Sequence, residues 1–272
     1  MQVYRGMDIG TAKPDRATRE RIPHALVDIA DPEEEVSAAA IQDLGRAAIT
    51  EAQAANHPVI VAGGSGLHFR AIVDPLTFAP TDADTRERLA ALDDDTARAR
   101  LLTVDPEAGM HVDLGNPRRV VRALEVHELT GRRPTDRAAD PEALAVKGYE
   151  PHLPFVAFGI DAAGASPARV EARFDAMLDA GLVAEATGLA DRLGPTARHA
   201  VGYKQLLGVV DGTIPLEEAR ARAIRATNAL VKRQRTFFGR DPRISWLPWH
   251  HDDDVRTDAA VRAIEEAVQW TS

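Results

Sequence analysis

Apolar residues recur at helical spacing in several stretches of this chain. Between residues 36 and 49 they recur every three or four positions, which predicts one helix that ends before 56–58, Asn-His-Pro. The continuous apolar run at 59–62 is typical of a strand covered on both faces. A glycine loop at 63–66 and a second helical pattern over 67–73 follow. This order predicts an α/β unit whose loop lies at the carboxyl end of its strand, where open parallel sheets bind ligands.

Beyond Pro80 the pattern changes to charged helices with little β character. The helix that begins at Asn116-Pro117 is predicted to end at Gly131, because proline favours a first helical turn and glycine a helix end. The other predicted elements are helices over 82–104, a polar linker over 135–154, a strand over 155–160, a helix from 166, a helix over 215–240, a strand over 243–247 and a helix over 255–268.

Composition excludes several functional classes. No run of the 272 residues approaches the roughly 18 apolar residues of a membrane span, and we expect no membrane partner. The chain contains no cysteine, so it has no disulfide, thiolate nucleophile or cysteine zinc site. Its net charge of −9 argues against coating nucleic acid through overall charge, so an RNA site must be a local basic patch. With no export signal at its start, the expected location is the cytoplasm.

The N-terminal loop (residues 8–13) concentrates polar groups around a glycine. Asp8, Gly10, Thr11 and Lys13 lie close together in sequence, and small residues with a hydroxyl and an amine suit a bound anion. The alternative is a surface turn whose polar groups are solvated. Both interpretations remain open on these residues alone.

Two segments of this acidic chain are strongly basic. Arg118, Arg119 and Arg122 occupy the first turns of the helix that begins at Asn116-Pro117, where the helix dipole disfavours positive charge. They either bind phosphate or pair with Glu125 on a solvated face. The basic segment (232–240) interleaves Lys and Arg with aromatic residues, which favours a polyanion; its cations are Lys232, Arg233, Arg235 and Arg240.

The sequence of residues 1–14, Met-Gln-Val-Tyr-Arg-Gly-Met-Asp-Ile-Gly-Thr-Ala-Lys-Pro, resembles a motif of the tRNA dimethylallyltransferases, also called tRNA isopentenyltransferases. The match is nearly complete over these positions. Further segments that resemble the same family are the glycine loop 63–66, residues 118–125, 169–178 and 201–204, and the Lys-Arg-Gln at 232–234. The resemblance therefore extends over nearly the whole chain.

The resemblance implies an α/β fold: a P-loop-NTPase-like parallel sheet core formed by 1–76 and 150–272, with a helical insertion at 77–149 that contacts tRNA. In the family a first strand, a P-loop and a catalytic Asp precede the position of Met1. No Gly-x-x-x-x-Gly-Lys-Ser/Thr sequence occurs in these 272 residues. We therefore expect the first strand and the P-loop to be missing, and no catalytic residue is assigned.

The activity implied is transfer of a dimethylallyl group from its diphosphate to N6 of adenosine 37 in tRNA, with Mg²⁺ as the family cofactor. Arg173 matches the family arginine that holds the diphosphate of the donor. The positions that match tRNA-contacting residues of the family are Met1, Gln2, Ser65, Arg86, Arg118, Arg119, Val120, Val121, Arg122, Gly202, Tyr203 and Lys204. Tyr203 is expected to stack on a base and Lys204 to reach a phosphate.

Two functional classes remain open. The first is an active transferase whose start was assigned to an internal Met, and the second is a catalytically inactive remnant that binds tRNA. A small-molecule kinase of the same fold is disfavoured, because the phosphate-binding loop is missing and basic segments suited to RNA are present. The chain is expected to act as a monomer.

Overall fold

The computed structural model describes residues 1–161 and 166–267, and it divides into two compact units. Unit 1 comprises Met1–Ile72 and Phe155–Ser272, and unit 2 comprises Val73–Pro154. The predicted insertion, 77–149, lies inside unit 2.

Helices dominate both units. In chain order they are α1 (Arg16–Arg21), α2 (Ala38–Ala54), α3 (Gly66–Val73), α4 (Ala83–Ala90), α5 (Asp94–Val104), α6 (Pro117–Thr130), α7 (Pro134–Ala138), α8 (Pro141–Lys147), α9 (Ser166–Asp179), α10 (Leu182–Leu189), α11 (Tyr203–Val210), α12 (Leu216–Phe238) and α13 (Asp253–Ala267). Strands β1 (Ala157–Asp161) and β2 (Ile244–Pro248) form a parallel pair with Ala157 opposite Ile244. Tyr4 also forms an isolated parallel bridge with Ala30. None of the described helices is both long enough and apolar enough to cross a membrane.

The apolar run at 59–62 is not a strand, so that prediction is wrong. Ile60 is 81% exposed, and Val59 and Val61 are exposed as well. A strand requires a neighbour for its backbone N–H and C=O groups. Among the described residues the sheet contains only β1 and β2, and neither pairs with this run. The prediction rested on apolar composition alone, and composition does not show whether a neighbouring strand is present.

The predicted polar linker over 135–154 is also wrong, because it contains α8 and most of α7. Pro134 and Pro141 stand in the first turns of these helices. Proline lacks a backbone N–H, but the N–H groups of the first helical turn have no acceptor within the helix. Proline can therefore begin these helices without breaking them. The prediction for α6 is confirmed, and Gly131 ends it with a left-handed φ of 71°.

The carboxylate of Glu185 fastens the N-terminal loop to the helical core of unit 1. It accepts hydrogen bonds from the backbone N–H groups of Asp8 (2.9 Å), Ile9 (2.8 Å) and Gly10 (3.0 Å). It also accepts one from the buried Tyr203 hydroxyl at 2.5 Å. The loop therefore binds an anion, as its composition suggests, but the anion is a side chain of this protein.

The remaining polar groups of the N-terminal loop are also satisfied internally. The side chain of Lys13 is 2% exposed and its ammonium contacts Asp8 at 2.7 Å and Asp28 at 2.5 Å. The Thr11 hydroxyl donates to the Met7 carbonyl at 2.5 Å. Thr11 and Lys13 are therefore occupied by groups of this protein, whereas the Asp8 side chain is 59% exposed and faces solvent as well as Lys13.

In unit 2 the buried carboxylate of Glu125 organises the polar contacts of α6. It accepts from the backbone N–H of Asp82 at 2.9 Å, from Arg122 at 2.7 Å and from Arg86 at 3.2 Å. Burial alone would raise the pKa of Glu125, but the hydrogen bonds from Arg122, Asp82 and Arg86 outweigh it and lower that pKa. The apolar core beside it contains Leu89, Leu101, Val120 and Leu124.

We expect Glu185→Ala to lower the free energy of unfolding by about 2–4 kcal/mol, because it leaves three backbone N–H groups without their acceptor. Urea unfolding followed by circular dichroism measures this change. Glu51→Ala is the matched control, since Glu51 is exposed on α2. Equal stability of the two variants would show that the Glu185 contacts contribute nothing.

We expect the stabilisation by Glu125 to depend on pH. Its pKa is lowered in the folded protein, so its contribution is complete above the unfolded pKa of about 4.3 and is lost as pH falls through the lower folded pKa. The measurement is the unfolding free energy of the native protein minus that of Glu125→Gln between neutral and acidic pH. The difference should shrink below about pH 4; a difference that is constant or grows would contradict this assignment.

Candidate functional site

The glycine loop packs closely against α12. The Gly64 carbonyl accepts a hydrogen bond from the Gln234 side-chain amide at 3.0 Å. A Cβ atom at Gly66 would lie 2.3 Å from the Phe237 ring, so only glycine permits this approach. Ser65 lies exposed between these two contacts. The loop therefore presents its hydroxyl residue beside the basic segment.

Met1 lies near the same loop. Burial lowers the pKa of its amino group and the charge of Lys13 lowers it further. Burial likewise lowers the pKa of His68, on α3, and the positive N-terminus adds to that effect, which places the two groups close together. The Gln2 side chain donates to the carbonyls of Thr11 (3.1 Å) and Ala12 (3.0 Å). Its amide is thus occupied in holding the N-terminal loop.

All four cations of the basic segment are exposed, but only three of them lack a carboxylate partner among the described residues. Lys232, Arg233 and Arg240 form no ion pair with another described residue, and together with Thr236 and Phe237 they line a shallow concavity of about 330 Å³. Arg235 differs, because it pairs with Asp161 at the end of β1 at 3.0 Å. The predicted polyanion surface therefore rests on the three cations without carboxylate partners.

The predicted arginines of unit 2 fall into two groups. Arg86 and Arg122 bind Glu125, and Arg122 also donates to the carbonyls of Ala79 and Pro80 at 2.7 and 2.9 Å. Arg118 and Arg119 are exposed in the first turn of α6 and pair with no carboxylate in the described part of the chain. Of the two alternatives from the sequence, pairing with Glu125 is therefore correct for Arg122. For Arg118 and Arg119 phosphate binding stays a prediction.

The two valines between these arginines belong to the interior. Val120 is 2% exposed in the core of unit 2, and Val121 packs against that core half-buried. The Val120 side chain therefore cannot reach RNA in this structure. A contact at this position would have to come from its backbone.

Arg173 projects from α9 without a carboxylate partner among the described residues. On the same helix Asp175 binds Arg220 of α12 at 2.6 Å, and Glu171 binds the same arginine at 2.8 Å. These two acidic residues of α9 are thus paired with another cation. Arg173 keeps its guanidinium available for an external anion.

The predicted stacking role of Tyr203 is wrong. Its ring is fully buried and its hydroxyl is bound to Glu185. Burial and that carboxylate raise the pKa of the hydroxyl, so it stays protonated and keeps donating. Gly202 precedes it with a φ of 96°, which favours glycine, and the neighbouring Lys204 is exposed. Of these three residues only Lys204 offers a charged side chain to solvent.

Two structural residues escaped the sequence analysis. Glu185 holds the N-terminal loop and belongs to no segment from which a site was expected. Gln234 holds the glycine loop and lies within the basic segment, but only the cations of that segment were expected to act. For Glu185 a signal existed, because it is the only charged residue of α10, which reads Leu-Val-Ala-Glu-Ala-Thr-Gly-Leu. A lone carboxylate among apolar residues indicates a buried acceptor with dedicated donors.

The comparisons with known proteins cover nearly the whole chain. A family model described as IPP transferase matches residues 2–241. The tRNA dimethylallyltransferase of Pseudarthrobacter chlorophenolicus is 43% identical over 96% of this chain and 87% of its own length. The enzyme of the same name from Kineococcus radiotolerans is 42% identical over 97% of this chain and 83% of its own length.

Solved structures give the same assignment. The Bacillus halodurans tRNA isopentenylpyrophosphate transferase aligns with 96% of this chain and 84% of its own, at 31% identity and a TM-score of 0.65. A eukaryotic dimethylallyltransferase acting on tRNA reaches a TM-score of 0.77 over 98% of this chain and 70% of its own, at 22% identity, which supports the fold. The mixed helical chain with a small parallel sheet agrees with the predicted P-loop-NTPase-like class. This chain therefore belongs to the IPP transferase family, together with the tRNA dimethylallyltransferases.

Proposed function

We propose that this chain transfers a dimethylallyl group from dimethylallyl diphosphate to N6 of adenosine 37 in tRNA, beside the anticodon. The observation that carries the proposal is the match of 96% of the chain to a tRNA dimethylallyltransferase at 43% identity. Such relatives favour the transferase over a remnant that only binds tRNA. We further propose that it acts as a monomer in the cytoplasm, where its tRNA substrate is found.

In the proposed reaction the adenosine N6 forms a bond to C1 of the dimethylallyl group. The bond from C1 to the diphosphate oxygen breaks, diphosphate leaves with the electron pair, and N6 releases one proton to solvent. Negative charge develops on the departing oxygen, so a fixed cation beside it lowers the barrier. Arg173 is our candidate, because its guanidinium is exposed without an ion pair to another described residue and can bind two phosphate oxygens at once.

We propose that tRNA is held by exposed cations in each unit. In unit 1 these are Lys204 and the basic segment cations Lys232, Arg233 and Arg240, with Ser65 and Met1 beside α12 and α3. In unit 2 they are Arg118 and Arg119, while Arg86 and Arg122 shape the helix through Glu125. The absence of carboxylate partners among the described residues supports these assignments, since phosphate contacts require cations that are not already neutralised.

Mg²⁺ is the cofactor that the family resemblance implies, and we assign no residue of this chain as its ligand. Across 1–161 and 166–267, no group of three or more Asp, Glu or His side chains could hold a metal ion. The sequence also has no P-loop motif whose hydroxyl could bind Mg²⁺ beside a diphosphate. We therefore derive no step of the reaction through Mg²⁺.

The proposal is tested by incubating this chain with dimethylallyl diphosphate and a tRNA anticodon stem-loop, and digesting the RNA to nucleosides for mass spectrometry. We expect one adenosine to gain a single dimethylallyl group, and a stem-loop with guanosine at that position to gain none. RNA binding without any transfer would contradict the proposal and favour the tRNA-binding remnant.

We expect Arg118→Gln/Arg119→Gln to weaken binding of all substrate tRNAs alike, because these cations contact phosphate and read no base. The slope of log affinity against log salt should fall by about 1–2. Arg88→Gln/Arg100→Gln is the matched control in the same unit, since both arginines pair with Glu128. An equal loss of slope in both double variants would show that exposure without an ion pair does not mark the RNA contacts.

Arg173→Ala should weaken binding of dimethylallyl diphosphate by about tenfold, because charge-assisted hydrogen bonds to the diphosphate are lost. Equilibrium dialysis measures this affinity directly. The affinity for tRNA should remain nearly unchanged, and Arg173→Lys should restore only part of the donor binding. A loss of tRNA affinity of the same size would reassign Arg173 to the RNA surface.

A further inference from the structure

A cavity of about 360 Å³ lies within unit 2. Its walls come from the segment 75–80, the second half of α6, and the helices α7 and α8. Its volume is at the low end of the roughly 300–1,000 Å³ of small-molecule sites. None of the positions that match tRNA contacts of the family lines this cavity.

Arg137 gives the cavity a positive charge that no ion pair with a described residue neutralises. Its side chain is half-buried on α7 and forms no ion pair with another described residue. Arg132, on the same wall, differs because Asp140 binds it through two hydrogen bonds of 2.7 and 2.9 Å. Burial lowers the pKa of Arg137, and the nearby positive charges of Arg122 and Arg132 lower it further, while the negative charge of Asp140 offsets part of this effect. An anion beside Arg137 would offset this repulsion.

The rest of the lining argues against a bare anion as the ligand. Phe78 is 36% exposed, and with Val126 and Val146 it gives the cavity an apolar side. The carboxylate of Glu142 also lines the wall. It would repel a small anion, but it can accept hydrogen bonds from N–H donors. A fitting ligand therefore carries an anionic group, a flat apolar surface and N–H donors.

We propose that this cavity binds one nucleotide, with its phosphate on Arg137, its base against Phe78 and its base amino group donating to Glu142. Arginine binds phosphate through two parallel hydrogen bonds, aromatic rings stack on bases, and carboxylates accept from exocyclic amines. The nucleotide is either a free monophosphate or one unit of an RNA chain. This site goes beyond the proposed transfer, because it is formed by unit 2 alone and requires no dimethylallyl donor.

The test is equilibrium binding to the full chain by isothermal titration calorimetry. The probes are cytidine and uridine monophosphates, a short single-stranded oligoribonucleotide and inorganic phosphate. Arg137→Gln is compared with Lys147→Gln, which removes the same charge from an exposed position of α8 outside the cavity. Thermal unfolding of both variants confirms that each retains its fold.

We expect Arg137→Gln, but not Lys147→Gln, to weaken nucleotide binding by about tenfold. Cytidine monophosphate should bind more tightly than uridine monophosphate, which has no exocyclic amine, and Glu142→Gln should remove that preference. Dependence on Arg137 seen with monophosphates indicates a free nucleotide, and dependence seen only with the oligoribonucleotide indicates a unit of RNA. The proposal is overturned if inorganic phosphate binds as tightly as the nucleotides, if both charge variants weaken binding equally, or if no probe depends on Arg137.

Discussion

The binding of Glu185 by the N-terminal loop is the interaction on which the arrangement of unit 1 depends. Three consecutive backbone N–H groups and the Tyr203 hydroxyl converge on one carboxylate. Because the donors come from the loop and from α11, and the acceptor from α10, one charge joins three distant parts of the chain. Gln2 is in turn fixed to the loop, so the position of the first residues follows from Glu185.

Close packing reinforces this junction. A Cβ atom at Gly10 would lie 2.5 Å from the Tyr203 ring, so the two segments approach as closely as glycine permits. Both segments carry the family resemblance. Their shared motif residues are therefore explained partly by mutual packing, and only some of them remain available for a substrate. Met1, Ser65 and Lys204 are exposed, whereas Tyr203 belongs to the interior.

The sequence predicted α6 correctly because the signals at both of its ends are local. Pro117 and Gly131 bound α6 because the special backbone requirements of these residues act within one turn. The strand prediction at 59–62 failed because a strand depends on a neighbour that local pattern does not reveal. For the same reason, the sequence could identify Arg86 and Arg118 as candidate contacts but could not tell them apart. Only the fold shows that the buried Glu125 forms an ion pair with Arg86 and not with Arg118.

The central claim is that Arg118, Arg119, Arg233 and Arg240, which have no carboxylate partner among the described residues, bind tRNA, and that ion-paired arginines do not. Phenylglyoxal modifies exposed arginines, and mass spectrometry of the modified chain with and without an anticodon stem-loop measures which of them RNA protects. The account predicts protection of Arg118, Arg119, Arg233 and Arg240, and no protection of Arg88 and Arg100, which Glu128 already holds. Protection of Arg88 and Arg100 with no change at the other four arginines would contradict it.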